Sequence, residues 1–407
     1  MNKHQPGAAR GALVIIFVIA FLDTLGMTIV MPILPFLTRR YVSSPEAMAI
    51  WVGVLTSVFA LCAFLSAPAL GALSDRIGRK PVLLFSVVGS SVGFVVFGIG
   101  GALWVLLLGR IIDGLTAGNM STIMAYLADI TPADDRAGRF GLAGAISGIG
   151  FMVGPVAGGL LAHFGLTTPV FVAAVVSFAA AFLGLFLLPE SLAPEHRGRR
   201  FSLGDVHPLG FITEAFQRPG LRMILLGVLS IGIPMAGLQS NIGVFALDTL
   251  RWGPTQIGFL MLGVGATDIV VQGVLAGFLT ARLGERRAVV IGLVGQGIAF
   301  LALALVAAFT SVWLLVFGGL MIAAGEGVVD PALGGLASRS VSHQEQGWLM
   351  GGMSSMGSAA RVIGPLLAGA LYAAVGRAAP YWFGVAVIMV ILVLARSVLF
   401  SPLPGRV

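Results

Sequence analysis

Between residues 12 and 398 the chain is a near-unbroken series of apolar runs, each about as long as a membrane-crossing helix. A helix needs about 20 apolar residues to span the hydrocarbon core of a bilayer. Such runs lie at roughly 12–36, 47–73, 81–101, 103–130, 139–164, 168–189, 221–247, 255–281, 288–308, 311–338, 346–374 and 379–398. Charged residues are 10% of the 407 and hydrophobic residues 57%. A soluble domain carries about 25% charged residues, so there is too little polar surface here to cover a water-soluble core. A transmembrane barrel needs short alternating segments of about ten residues, whereas these runs are longer and continuous. The reading is an all-α integral membrane protein with twelve transmembrane helices. The first run continues to about Phe36, contains Asp23 and ends without a small-residue cleavage site. It is therefore expected to remain as a span rather than to be removed as a signal peptide. The single cysteine, Cys62, has no second cysteine for an internal disulfide or a thiolate metal cluster.

Twelve spans put both termini on one side of the membrane. Of the 24 lysines and arginines, 18 fall on that side. Arg39, Arg40, Arg251 and Arg377 fall on the other, and Arg110 and Arg361 lie within spans. Basic loops stay in the cytoplasm, so both termini are expected there. The net charge of +7 is thereby read as an orientation signal. The basic residues are spread over many short loops and form no single face for nucleic acid. The expected surroundings are lipid.

An internal repeat divides the chain. GALSDRIGRKPVLLFSVVG at 71–89 aligns without gaps with GFLTARLGERRAVVIGLVG at 277–295. Gly71 falls on Gly277, Arg76 on Arg282, Gly78 on Gly284 and Gly89 on Gly295. GPVAGGLLAHFG, from Gly154, pairs with GPLLAGALYAAVG, from Gly364. Both offsets are about half the chain. The stretch 190–220 is polar, basic and proline-bearing, as a linker would be. The expected organisation is an N-terminal six-helix half at 1–190, a linker at 191–220 and a C-terminal six-helix half at 221–407. Two parallel six-helix halves are the architecture of one large class of secondary transporters.

Ionisable residues inside a bilayer are costly and mark function by default. The candidates are Asp23, Arg110, Asp113, Asp268, Glu326, Asp330 and Arg361. Asp23 lies near the middle of the first span. Burial disfavours a charged carboxylate, so Asp23 is suited to take a proton on one side and release it on the other; the alternative is a structural hydrogen bond to a neighbouring helix. Arg110 and Asp113 are three residues apart and share a helical face. They read either as a self-neutralising pair or as a device by which Arg110 tunes a nearby acid, Asp113 or Asp23. Glu326 and Asp330 are four apart on one face and could bind a cation, carry protons or pair with Arg361. Asp268 offers the same options.

Two further stretches carry order as well as composition. In GALSDRIGRK, Gly71 is read as allowing close packing and Gly78 as allowing a tight turn, with Asp75 and Arg79 placed to form an ionic latch at the membrane edge. The second copy has Ala281 and Glu285 at the positions of Asp75 and Arg79, so the latch is expected in the first half only. Gly150, Gly154 and Gly158 form two overlapping GxxxG steps, which let helices approach closely. Pro155 removes a backbone donor and favours a bend. There is no phosphate-binding GxxxxGK[ST] loop and no HExxH metal motif. The energy source is therefore expected to be an ion gradient, with no cofactor and no enzymatic chemistry.

GALSDRIGRKPVLL resembles the signature loop between spans 2 and 3 of the major facilitator superfamily. LLLGRIIDGLTAGN at 106–119 and GAISGIGFMVGPVAGGLL at 144–161 resemble the span-4 and span-5 motifs of its drug/proton antiporters. FLDTLGMTIVMPILP at 21–35 resembles the first span of the tetracycline/proton antiporter branch. The resemblance covers essentially the whole chain. It implies the major facilitator fold, two pseudo-symmetric halves that rock about a central cavity, proton coupling through span 4 and a monomer. It also implies that Asp129, at the end of span 4, joins the Asp75–Arg79 latch, and that the bent fifth span helps seal one side during exchange. Tetracycline exporters, by the same resemblance, carry further acids in spans 3 and 9; here GSSVGFVVFG and AVVIGLVGQGIAFLALAL have none. The expected function is proton-coupled export of hydrophobic or amphipathic small molecules from a bacterial cell across its inner membrane, as in multidrug or tetracycline-like efflux. The alternatives are an exporter or flippase of an endogenous amphiphile such as a glycolipid, or a proton-coupled importer. Acids in both halves argue against a receptor or scaffold that moves nothing.

Overall fold

The computed structural model describes residues 6–193, 195, 219–339, 341–342 and 345–399. Among the described residues the chain is helical, with no strand. In hydrocarbon each backbone N–H and C=O must find its partner within the segment, and the long Leu-, Val- and Ala-rich runs do so as helices. The first half contributes α1 (Pro6–Ile29), α2 (Leu34–Arg39), α3 (Pro45–Ile77), α4 (Arg79–Ile99), α5 (Leu103–Leu115), α6 (Asn119–Ile130), α7 (Arg136–Leu161) and α8 (Thr168–Leu187). The second contributes α9 (Pro219–Leu250), α10 (Pro254–Val270), α11 (Ala276–Leu283), α12 (Glu285–Phe309), α13 (Val312–Arg339), α14 (Gln346–Ala374) and α15 (Ala379–Leu399). Among the described residues eleven helical stretches are long and apolar enough to cross a bilayer, and α15 supplies the twelfth span.

Hydropathy reads each span as one run, but three of them are interrupted. Span 1 tightens into a 3-10 turn at Met31–Ile33, where Pro32 and Pro35 each remove a backbone donor. Span 4 breaks after Leu115 and resumes at Asn119. Span 8 passes through a π-helical turn at Val271–Leu275 between α10 and α11.

The chain divides into two compact units. One comprises Met1–Ser43, Leu55–Leu209 and Gly253–Phe259; the other comprises Ser44–Val54, Gly210–Trp252 and Leu260–Val407. Two short segments thus group away from their neighbours in sequence. Residues 194 and 196–218 of the expected linker lie outside the described residues. In the first unit α1 packs against α7 and α8, and Ile16, Ile19, Leu83, Tyr126 and Leu127 form its buried core. In the second, α12 packs on α13 and α9 on α14. Large apolar side chains face outward, as Phe178, Phe182 and Trp313 do. Such broad exposed apolar surface is foreign to a soluble monomer and is what a multi-pass membrane protein presents to lipid.

Candidate functional site

The first unit gathers a polar cluster from four helices. Asp23 on α1 accepts a hydrogen bond from the Asn119 amide at the start of α6. Asp113, 4% exposed, lies with its Oδ2 3.4 Å from Arg110 Nη1. The Ser90 side chain of α4 also bonds that carboxylate. The Arg110 guanidinium sits 4.7 Å from the ring centre of Phe59 and 5.8 Å from that of Phe97, within reach of both π-faces. Close approach of α4 and α5 buries the pair: a Cβ on Gly93 would lie 2.9 Å from the Asp113 backbone, and one on Gly109 would lie 2.8 Å from the Gly93 carbonyl. Arg110 therefore pairs with Asp113, while the hydrogen bond of Asp23 goes to Asn119. Asp23 and Asp113 also act on each other through space. The cluster counts two carboxylates to one guanidinium, so it holds one excess negative charge when all three are ionised. A single proton makes it neutral. Uncompensated charge in this medium is costly, so the charge balance of the cluster is sensitive to a single proton.

The second unit gathers another cluster. Asp268 on α10, Glu326 and Asp330 on α13 and Arg361 on α14 lie close enough to act on one another electrostatically. Asp268 reaches across to α13: its Oδ1 would be 3.1 Å from a Cβ on Gly327, beside Glu326. That oxygen is buried and has no hydrogen-bond partner among the described residues. The cluster counts three carboxylates to one guanidinium, and Arg361 acts on Glu326 and Asp330.

The residues expected to form a latch meet at the α3–α4 turn. Arg79 Nη1 lies 2.5 Å from Asp75 Oδ1, and its Nε lies 3.0 Å from Asp129 Oδ2 at the end of α6. Gly78 makes the turn with φ of +116°, and Gly284, its partner in the repeat, does so with +79°. Gly71 departs from expectation. A Cβ there would meet nothing within 4 Å, so close packing does not select that glycine. The second copy has an ion pair of its own at this place. Glu285, which replaces Arg79 in the second copy, holds Arg339 at the end of α13, with Oε1 3.0 Å from Nη2. Its signal was the reversed sign at an aligned position.

On α7, the glycine series faces α1. A Cβ on Gly150 would lie 3.1 Å from the Phe21 carbonyl, and one on Gly154 would strike the Thr28 hydroxyl. On Gly158 it would strike the Ile29 carbonyl and lie 3.2 Å from Pro32. Thr28 Oγ1 donates to the Gly150 carbonyl at 3.2 Å. Pro155 is buried in the same helix.

Two residues escaped sequence reasoning. Asn119 was legible only as the last letter of the span-4 motif. Glu190 follows the sixth span, and its carboxylate accepts from the backbone N–H groups of Arg79 (2.9 Å) and Lys80 (3.2 Å). It thereby caps α4, as an acid at a helix N-terminus does. Ser191 beside it donates to Asp129 at 3.0 Å.

The sequence profile of the Major Facilitator Superfamily matches residues 16–269 and 224–407. The chain is 36% identical to tetracycline resistance protein, class C, of Escherichia coli, over 93% of each. It is 32% identical to tetracycline resistance protein, class B, of Escherichia coli, over 95% of this chain and 96% of the relative. Its fold is similar to the crystal structure of the human organic anion transporter MFSD10, with a TM-score of 0.70 and 24% identity over 96% of this chain and all of that one. Twelve apolar helices, an internal repeat and paired intramembrane charges agree with these likenesses, and the chain belongs to the Major Facilitator Superfamily.

Proposed function

We propose that the chain is a proton-coupled exporter of hydrophobic or amphipathic small molecules, working by alternating access in a bacterial inner membrane. The observation that carries this reading is the Asp23–Asn119 and Arg110–Asp113 cluster, whose charge one proton neutralises. A ligand shifts a two-state protein only through its differential affinity for the states. Proton and substrate bound in alternation at such a cluster meet that condition, and a proton gradient then drives export with no cofactor. The relatives named for tetracycline resistance support drug efflux. The reading commits to the substrate class rather than to tetracycline, since α4 has no acid and α12 has none beyond Glu285. The excess of basic residues on the terminus side supports cytoplasmic termini. We take the working unit to be a monomer, and Asp268, Glu326, Asp330 and Arg361 to be a second coupling or substrate cluster.

Everted membrane vesicles test the reading. Amphipathic dyes, with tetracycline among the test compounds, are expected to accumulate only when a proton gradient is imposed. Asp23→Asn is expected to abolish that accumulation while the protein still inserts at normal levels. Accumulation that ignores the gradient, or undiminished coupling in Asp23→Asn, overturns the proposal.

A further inference from the structure

The break in span 4 and Asp23 meet at one residue. α5 ends at Leu115 and α6 begins at Asn119. Between them Thr116 Oγ1 donates back to the carbonyls of Ile112 at 2.9 Å and Asp113 at 3.2 Å. The Gly118 N–H donates to the Thr116 carbonyl at 2.8 Å. Neighbours wall the turn. A Cβ on Gly118 would lie 2.6 Å from Leu70 on α3, and the Thr116 side chain fills the space that a side chain at Gly89 on α4 would take. Packing, with no proline in the span, holds the helix open here.

The result is a helix N-terminus inside the span. Its first residue, Asn119, donates through Nδ2 to Asp23 Oδ1, 96 residues away in sequence. The first turn of a helix leaves N–H groups without intrahelical acceptors and carries partial positive charge. The ionised carboxylate is therefore the form that this end of α6 attracts. Asn119 is 5% exposed, and its Oδ1 has no hydrogen-bond partner among the described residues. Its donor side is engaged and its acceptor side idle, so the carboxylate is what orients the amide. Few other charges face Asp23. Asp113 on α5 acts on it through space. α8 carries no titratable residue, α7 carries only Arg136 and Arg139, near its start, and α6 carries only Tyr126 and Asp129, about two turns or more beyond Asn119. Gly150, the α7 residue against Phe21 and Thr24, lies about three turns further along.

We propose that Asn119 is a positioning residue for Asp23, and that the break in span 4 couples the protonation of Asp23 to the seating of α6. The proposal rests on the reading of Asp23 as the proton carrier. With Asp23 ionised, the carboxylate holds the Asn119 amide and the N-terminus of α6 against α1. A proton taken from solvent onto Asp23 removes the charge that holds them, and α6 is released.

The test is the pH dependence of proton-driven dye transport by the full chain in proteoliposomes. A hydrogen bond to a carboxylate favours its ionised form. Asn119→Ala is expected to move the midpoint of the profile up by about one pH unit, the size of one charged hydrogen bond. Asn119→Asp, which keeps the shape and adds a second carboxylate, moves it up further, and it stands in should the alanine variant fail to fold. Asn119→Gln, which keeps the amide, returns the midpoint toward wild type. A merely structural role would scale transport at every pH and leave the midpoint in place. Unmoved midpoints in Asn119→Ala and Asn119→Asp, alongside lost coupling in Asp23→Asn, overturn the positioning role and leave the proton reading standing. Retained coupling in Asp23→Asn overturns both.

Discussion

Glu285, the first residue of α12, holds Arg339, the last residue of α13, with Oε1 3.0 Å from Nη2. In the other half Arg79, the first residue of α4, holds Asp129 near the end of α6 at the same distance. The two pairs occupy matching places in the repeat with their signs reversed. Each ties the start of one span to the end of the next, with the charge order reversed between the halves. We expect Arg79→Glu to reduce transport and the double variant Arg79→Glu with Asp129→Arg to recover a large part of it. Transport rates in vesicles read both. Equal loss in the single and double variants would mean that the sign at position 79 matters for another reason.

Asp75 has no counterpart in the second copy, where Ala281 stands. Its Oδ1 lies 2.5 Å from Arg79, but it is half exposed, so the pair adds little stability. Asp75→Ala is accordingly expected to leave thermal unfolding in detergent unchanged. It is expected to slow export several-fold without weakening substrate binding, because one arm of the latch is gone. Normal export would reduce this stretch to an ordinary loop.

Gly71 and Gly78 lie in the same motif under different constraints. Gly78 has a φ of +116°, and a Cβ there would collide with the Glu190 carboxylate that caps α4. Gly78→Ala is expected to cost about 1–3 kcal/mol from backbone strain alone. Gly71 has open space and a helical backbone, so Gly71→Ala is expected to be neutral or to stabilise by up to about 1 kcal/mol. Melting of the two purified variants side by side decides the matter; equal losses would refute the distinction.

The α1–α7 contact permits a similar comparison within one helix. Gly158→Ala places a methyl against the Ile29 carbonyl, a backbone atom that cannot swing away. Overpacking of this kind costs about 1–3 kcal/mol. Gly144→Ala, fourteen residues earlier, meets nothing within 4 Å and is expected to be tolerated. A Gly158→Ala protein with wild-type melting and wild-type transport would show that the helices are not held at this distance.

Much of the design is legible along the chain because a bilayer leaves few choices. Runs of about 20 apolar residues must be helices, the repeat names two halves, and the isolated charges within spans name the candidate site. Asp75, Arg79 and Asp129 were found by motif and meet in space. The GxxxG series on α7 meets a neighbour as its spacing implies.

Pairing was not legible, for a physical reason. Hydropathy and periodicity report what each residue prefers, whereas partners depend on which helices lie side by side. Asp23 carried an open choice between Arg110 and a neighbouring helix, and packing of α1 against α6 gave it Asn119. Gly71 and Gly78 look alike in sequence, and only the space around them separates their roles. Twelve spans, the repeat and the charges within spans follow from the order of residues alone, because the cost of polar groups in lipid is local to each segment. The break in span 4, the Asn119 contact, the Glu190 cap and the Glu285–Arg339 pair emerge only on folding, because each depends on contacts between segments far apart in the chain.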